Sequence, residues 1–450
     1  MSYFLTRVLT MLDHGGDTVL FHHEGLATTY RGAADTLRRI HTGLSGTTGI
    51  VAIDSSNRPE VIFAQVAAQL RGLEVLLVAA SASKPAREAA LEQTGATLLD
   101  LDELTTGEPS TPDTIPDRVT AIFPTGGTTG TPKLIRHTGI YDGMAHIFTP
   151  DGTQTVLITA PLTHMTGNAA ALGALLCGNK VVLRTNFDAE ELLRDIETHR
   201  VTSLSLTPPR LAAVLDSPAL AGTDVSSLKS LSLGAAPLPP RRLRQALDTF
   251  GAKVGQGYGL TEAPMIASIS AEELTRDHRL GSVGRIVPGM EARTENGEIL
   301  VRGLSMMDGY HGEPAIADNW LPTGDLGHFD DEGYLYLHDR IADVIITGEH
   351  GTKVASTAIE HTLLTHPAVK AAAVFAVPGK NGEGELVHAV VVAGTTEAEL
   401  RHHVREELGG DHFVPSTVAF TDELPLTSVG KVDKRKLAEP FWSGHSRHIA

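Results

Sequence analysis

Up to about residue 260, short runs of β-branched and leucine residues alternate with amphipathic stretches at the spacing of βαβ units. The runs VAIDSS (51–56), EVLLVAA (74–80), TVLITA (155–160), KVVLR (180–184), TSLSLT (202–207) and KSLSLG (229–234) read as strands. Between them, 59–71, 189–199 and 240–250 read as helices. Such alternation needs helices laid on sheet faces, so it predicts an α/β sheet architecture.

From 282 to 338 the rhythm changes to closely spaced short strands with glycine turns, including GEILVRG (297–303) and EGYLYLHD (332–339). A small β subdomain is expected there, completing an N-terminal domain over 1–340. Beyond Arg340 come a strand at 343–347, a helix near 357–365, a strand pair across 369–394, a helix at 396–408 and a Lys-rich segment. That order predicts a separate α+β domain over 341–450, and 450 residues suit two or three folding units.

Composition narrows the function classes. The chain is 41% hydrophobic and 20% charged, as ordinary globular enzymes are. Its net charge of -17 repels nucleic acid and anionic lipid, so a nucleotide would have to bind through local backbone donors, a lysine and a metal ion. One cysteine, Cys177, excludes an intrachain disulfide framework and fits a reducing compartment. No run reaches the roughly 18 apolar residues of a membrane span, and MSYFLTRVLTMLDHGG carries no secretory core. A cytoplasmic protein is expected.

The sharpest local pattern is PTGGTTGTPK, Pro124 to Lys133, directly after the strand-like RVTAIF (118–123). Glycines free backbone N–H groups, threonines add hydroxyls and the lysine adds a cation, a set suited to a polyphosphate. It is not G-x-x-x-x-G-K-[ST], because Lys133 follows Thr-Pro. The segment resembles the signature loop of the adenylate-forming superfamily, which includes acyl-CoA synthetases, adenylation domains of peptide synthetases and luciferase. The family usually has serine where Gly126 or Gly127 stands, and glycine where Leu134 follows the lysine.

Further segments resemble the family's motifs in the same order. PLTHMTG (161–167) resembles the segment that gates the acyl pocket, which makes His164 the expected gate. SLGAAPLPP (232–240), with Gly234, Ala235 and Ala236, resembles the turn lining adenine and the acyl group. In GQGYGLTEA (255–263), which also holds Gln256, Gly257 and Gly259, the resemblance gives Tyr258 to adenine stacking, Thr261 to the α-phosphate and Glu262 to magnesium. An aromatic face, a hydroxyl and a carboxylate within five residues suit a magnesium nucleotide. WLPTGDL (320–326) places Asp325 on the ribose hydroxyls, HDRIAD (338–343) places Arg340 near ribose and phosphate, and PLTSVGKVDKRKL (425–437) makes Lys431 the catalytic lysine.

The resemblance implies that ATP and an organic acid form an acyl-adenylate with loss of pyrophosphate, after which a mobile C-terminal domain rotates and coenzyme A takes the acyl group. Thr125, Gly126, Gly127, Thr128, Thr129, Gly130 and Lys133 would hold phosphates, with Thr128 joining Glu262 at Mg²⁺. Acyl- or aryl-CoA ligases are the nearest branch. Two departures touch the second step: the hinge position carries Ala342 where Asp or Lys is usual, and segment 346–360 is longer, with Ser356 and Ala358 in place of Pro and Glu. A carrier-protein thiol, an amine or another nucleophile is therefore the alternative acceptor, and a non-catalytic relative that binds nucleotide or acyl groups is the alternative of another class. The stretch MTGNAAALGALL offers no carboxylate for a substrate ammonium, which disfavours α-amino acids and leaves aryl, cyclic or medium acyl acids. Asn168, Thr207 and Gln256 are the expected contacts to polar substituents.

Overall fold

The computed structural model describes residues 1–443 apart from 113, 126–131, 237, 252, 275–278, 315, 317–318, 348–350, 380–383 and 428. Among the described residues, strands form sheets of thirteen, six and five members. Each expected strand of the alternating region forms within two residues of its predicted ends, and the helices Pro59–Leu70, Ala189–His199 and Pro240–Phe250 form with them.

Strands Thr155–Ile158, Ser203–Leu206, Ser230–Gly234 and Val254–Tyr258 lie side by side and parallel, with Leu204 facing Leu157 and Leu231, and Leu231 facing Val254. Their carboxyl ends therefore share one edge. In open α/β sheets that edge is where ligands bind, because the loops leaving it are free of the hydrogen-bond ladder. The smaller sheet brings Thr120–Thr125 and the antiparallel Lys133–Thr138 together, with Thr125 opposite Lys133.

Two helices explain how the sheets stack. Pro59–Leu70 is buried on every side and Met165–Cys177 nearly so, each lacking the polar face of a surface helix. The first packs on the six-stranded sheet, the second on the thirteen-stranded one, and they touch each other. The N-terminal helix Tyr3–Gly15 and the hairpin Val19–His23 with Leu26–Thr29, which the alternation does not announce, complete this body; the hairpin pairs with Lys180–Leu183.

The stretch expected as a small β subdomain shares a ladder with the large sheet. Strand Ser282–Ile286 pairs with Ala267–Ile269 on one side and Leu335–Arg340 on the other, so the ladder continues through it. Sequence rhythm reports strand length and turns, whereas this junction depends on pairing between distant segments.

In the C-terminal sheet Val369–Pro378 is the end strand, paired along its length with the antiparallel Glu385–Ala393. Ala372, Val374 and Ala376 face one apolar cluster with Ile359 and Leu400, while Ala373, Phe375 and Val377 face another with Leu424. The period of two places residues on alternate faces, and both faces are covered. The protein is thus a large α/β body with a smaller α+β body. No described helix is long and apolar enough to cross a membrane.

Candidate active site

The loop leaving Thr155–Ile158 turns sharply into helix Met165–Cys177, and Gly167 permits the turn. A Cβ there would stand 2.3 Å from the Pro161 carbonyl oxygen and 2.7 Å from that of Ala160. This close approach fixes His164 at the helix N-terminus. Burial, reinforced by the positive charge of Lys431, pushes the His164 pKa down to about 4. At neutral pH its imidazole is uncharged and can serve as a flat wall for an acyl group.

Gly234 and Gly257 are register partners on adjacent strands, and Ala235 holds a left-handed φ of 70° in the turn that follows. Tyr258 donates its hydroxyl hydrogen to Asp325 Oδ2 at 2.7 Å. Arg340 Nε lies 3.1 Å from the other carboxylate oxygen, across the antiparallel pair that sets Asp325 opposite Arg340. Asp325 is only 6% exposed, and its charge is met from both sides. Gln256 lies two residues before Tyr258, on the same face of the strand; its Oε1 is buried and has no protein donor among the described residues. Gly259 sits in the turn beyond, against the Pro264 carbonyl.

Glu262 is held by groups that the sequence did not announce. Met307 N–H donates to its backbone carbonyl at 2.7 Å, and Tyr310 donates its hydroxyl hydrogen to Oε1 at 3.2 Å. The Lys133 ammonium stands 4.8 Å above the same Tyr310 ring, a cation–π contact. Strand Gly309–Tyr310 brings the tyrosine there by pairing with Lys133–Thr138. The backbone carbonyl of Thr261 is 2.7 Å from His137 Nε2, and burial holds that histidine below its ordinary pKa, so the neutral ring donates from Nε2. The expected phosphate contacts of Gly126, Gly127, Thr128, Thr129 and Gly130 lie outside the described residues; Thr125 and Lys133 flank them on paired strands.

Tyr310 thus links the lysine of the phosphate loop to the expected metal carboxylate. Removing its hydroxyl costs one hydrogen bond, about 1 kcal/mol or roughly a fivefold change in an equilibrium. In Tyr310→Phe the Mg²⁺ concentration giving half-maximal ATP–pyrophosphate exchange should rise by about that factor, with the ring under Lys133 kept. An unchanged magnesium titration would show that Tyr310 does not position Glu262.

Lys431 arrives from the C-terminal body on a turn in which Gly430 N–H donates to the Thr427 carbonyl at 2.8 Å and Lys431 N–H to Thr427 Oγ1 at 3.2 Å. The Gly430 carbonyl accepts a 2.9 Å hydrogen bond from Thr207 Oγ1 in the large body. Lys431 is buried, which lowers its pKa; Arg340 adds to that lowering, and Asp325 and Glu262 oppose it. The structure therefore brings Lys431, Glu262, Asp325, Arg340 and His164 within one electrostatic neighbourhood.

One expected substrate contact is placed in the core. Asn168 is fully buried: its Oδ1 accepts from Tyr141 and Gln65, and its Nδ2 donates to Gln65 Oε1 and the Leu162 carbonyl. All its hydrogen-bonding capacity is used, so it is a core residue rather than a contact to polar substituents. Thr207 stays beside the turn that delivers Lys431, donating its hydroxyl hydrogen to the Gly430 carbonyl and keeping its acceptor lone pairs.

Ala342 lies in the short turn Ile341–Asp343 that joins the bodies. Next to it, Asp339 accepts from Ser356 N and, at 3.2 Å, from Ser356 Oγ, while Lys434 Nζ donates to Ser356 Oγ at 2.9 Å and pairs with Glu360 at 2.8 Å. Ser356 is thus the bridge of a buried network. Lys434 is kept charged by Glu360 although burial opposes it.

Comparison with known proteins agrees with this geometry. A sequence model described as AMP-binding enzyme matches residues 100–311, and one described as AMP-binding enzyme C-terminal domain matches 358–431. A medium/long-chain-fatty-acid–CoA ligase, FadD8 of Mycobacterium tuberculosis (strain ATCC 25618 / H37Rv), is 34% identical over 75% of this chain; the match spans 64% of that relative's length. A 2-succinylbenzoate–CoA ligase of Bacillus velezensis is 32% identical over 86% of this chain and 87% of its own. Among solved structures, amide bond synthetase McbA from Marinactinospora thermotolerans superposes with a TM-score of 0.82 at 29% identity, covering 96% of this chain and 99% of that one. The o-succinylbenzoate CoA synthetase of Bacillus subtilis, in complex with its acyl-adenylate intermediate, gives a TM-score of 0.81 at 26% identity over 96% and 97%.

Proposed function

Because this chain belongs to the AMP-binding enzyme family, we propose that it activates a carboxylic acid with ATP, releasing pyrophosphate, and passes the acyl group to coenzyme A. The observation that carries this reading is the convergence of buried Lys431 on Asp325, Glu262 and Arg340 at the carboxyl edge of the large sheet. A substrate carboxylate oxygen attacks the α-phosphorus, the bond to the bridging oxygen breaks, and pyrophosphate departs, leaving a mixed anhydride. The barrier is mainly repulsion between anions, so positioned cations matter more than proton transfer.

The residue roles follow from chemistry. Lys431 supplies the buried positive charge for the reacting oxygens. Tyr258 offers its ring to adenine, Asp325 the two acceptors a ribose diol needs, and Gln256 a buried acceptor. Glu262, its carboxylate steadied by Tyr310, and Thr128 are the groups that would hold Mg²⁺, which would neutralise phosphate charge. Neutral His164 walls the acyl side. In the second step the thiol sulfur attacks the anhydride carbonyl, AMP leaves and the thiol proton goes to solvent. In this reading the mobile unit begins at residue 341 and turns about Ala342.

The acid is taken to be aryl, cyclic or medium acyl. Ala342 at the hinge and the near-complete overlay on an amide bond synthetase favour, as a second reading, an amine acceptor; a carrier-protein thiol is the remaining alternative. The test is ATP–pyrophosphate exchange across a panel of acids, followed by product mass with CoA or amine present. A thioester is expected. An amide without a thioester would move the acceptor to an amine, and no exchange with any acid would end the adenylation reading.

A further inference from the structure

Arg210 occupies the first turn of helix Pro208–Asp216, immediately beyond the carboxyl end of strand Ser203–Leu206, and only 9% of it is exposed. Its Nη1 donates to Thr159 Oγ1 at 3.1 Å, and the guanidinium lies 5.1 Å over the Phe187 ring. The group also lies against Gly430, where a Cβ would come within 2.7 Å of Nε. Several other half-buried or buried arginines meet carboxylates, as Arg184 does Asp195, Arg242 Asp216 and Arg279 Glu332, while Arg7 and Arg39 are held by backbone carbonyls. Arg210 pairs with no carboxylate among the described residues, and burial acts on its charge without an opposing one. A guanidinium has five N–H donors in a planar fork suited to a carboxylate, and here one of them meets a side-chain acceptor.

Its position decides which anion would complete it. The strand order runs from Val254–Tyr258 through Ser230–Gly234 to Ser203–Leu206 and then Thr155–Ile158. Arg210 therefore sits two strands, about 10 Å, from the strand of Tyr258. It lies on the side of Thr159 and His164, next to the turn that delivers Lys431.

We propose that Arg210 anchors a second carboxylate at the far end of the acid, so that the substrate is a dicarboxylic acid activated at one end and held by its other. This inference rests on the adenylation reading above. A buried, otherwise uncompensated cation also makes a monoacid of equal length a poor substrate, because its apolar end would leave the guanidinium desolvated and unpaired.

The test is ATP–pyrophosphate exchange with matched acids: glutarate, adipate and pimelate against valerate, hexanoate and heptanoate, and 4-carboxyphenylpropionate against phenylpropionate. Wild type should favour at least one diacid over its partner in kcat/KM by about 30-fold or more, the range of a charge-assisted pair. In Arg210→Met that preference should fall to near one, mainly through a higher KM for the diacid, and Arg210→Lys should restore part of it. Calorimetric binding of AMP checks that each variant is folded. Wild-type preference for the monoacids would overturn the proposal while leaving adenylation intact. So would an Arg210→Met variant whose diacid preference is unchanged but whose KM for CoA rises, which would assign the guanidinium to a phosphate of the thiol substrate. No exchange with any acid in an AMP-binding wild type would instead remove the adenylation reading, and this inference with it.

Discussion

Lys431→Ala is expected to lower ATP–pyrophosphate exchange by about 10³-fold, the loss seen when one preorganised charge or donor leaves a dry site. Lys431 is buried beside two carboxylates and Arg340, and a water admitted in its place would bring no charge. Its lowered pKa adds a second observable. A cation whose pKa is depressed loses its proton earlier as pH rises, so exchange in the wild type should fall on the alkaline side below the ordinary lysine range. The alanine variant should lose that limb. Thioester formation from a supplied acyl-adenylate should change far less, because the phosphoryl charge has by then been resolved. Exchange by Lys431→Ala at the wild-type rate would remove the lysine from the catalytic role.

Much of this arrangement is legible in the sequence, for identifiable reasons. Strands with β-branched runs and amphipathic helices announce themselves by periodicity, and the loop and motif residues cluster in short windows, as Tyr258 to Glu262 do. What escapes depends on distant pairing. Tyr310 lies in a two-residue strand whose meaning is set by pairing with Lys133–Thr138. Asn168 stands in a motif that suggests a pocket, but Gln65 and Tyr141, both remote in sequence, absorb its amide. Helix Met165–Cys177 is apolar nearly all round, so its period is hidden. The unexpected Ser356 gains a reason only when Asp339 and Lys434 meet it.

The closed arrangement itself hangs on a residue with no side chain, which makes Gly430→Ala the second large expected effect. Gly430 has a φ of 78°, left-handed backbone that costs an L side chain about 1 kcal/mol or more. A methyl there would also stand 2.7 Å from Arg210 Nε and 3.0 Å from Thr207 Oγ1. Neither neighbour can easily retreat: Arg210 is tied to Thr159, and Thr207 bonds the Gly430 carbonyl. The contact and the weakened hydrogen bond together come to about 1–2 kcal/mol against closure, or roughly 5- to 30-fold in a two-state equilibrium. Exchange should fall by that factor, because Lys431 is the next residue and is carried into the site by the same turn. The left-handed strain falls on the C-terminal body's own turn in either state, so that body should lose about 1 kcal/mol of thermal stability and the large body none. Thioester formation from a supplied acyl-adenylate should be retained, because the rotated state does not require this contact. Loss of both half-reactions to the same degree would mean that Gly430 supports the C-terminal fold, and unchanged exchange would mean that the contact between Gly430 and Thr207 is not part of the conformation in which the acid is activated.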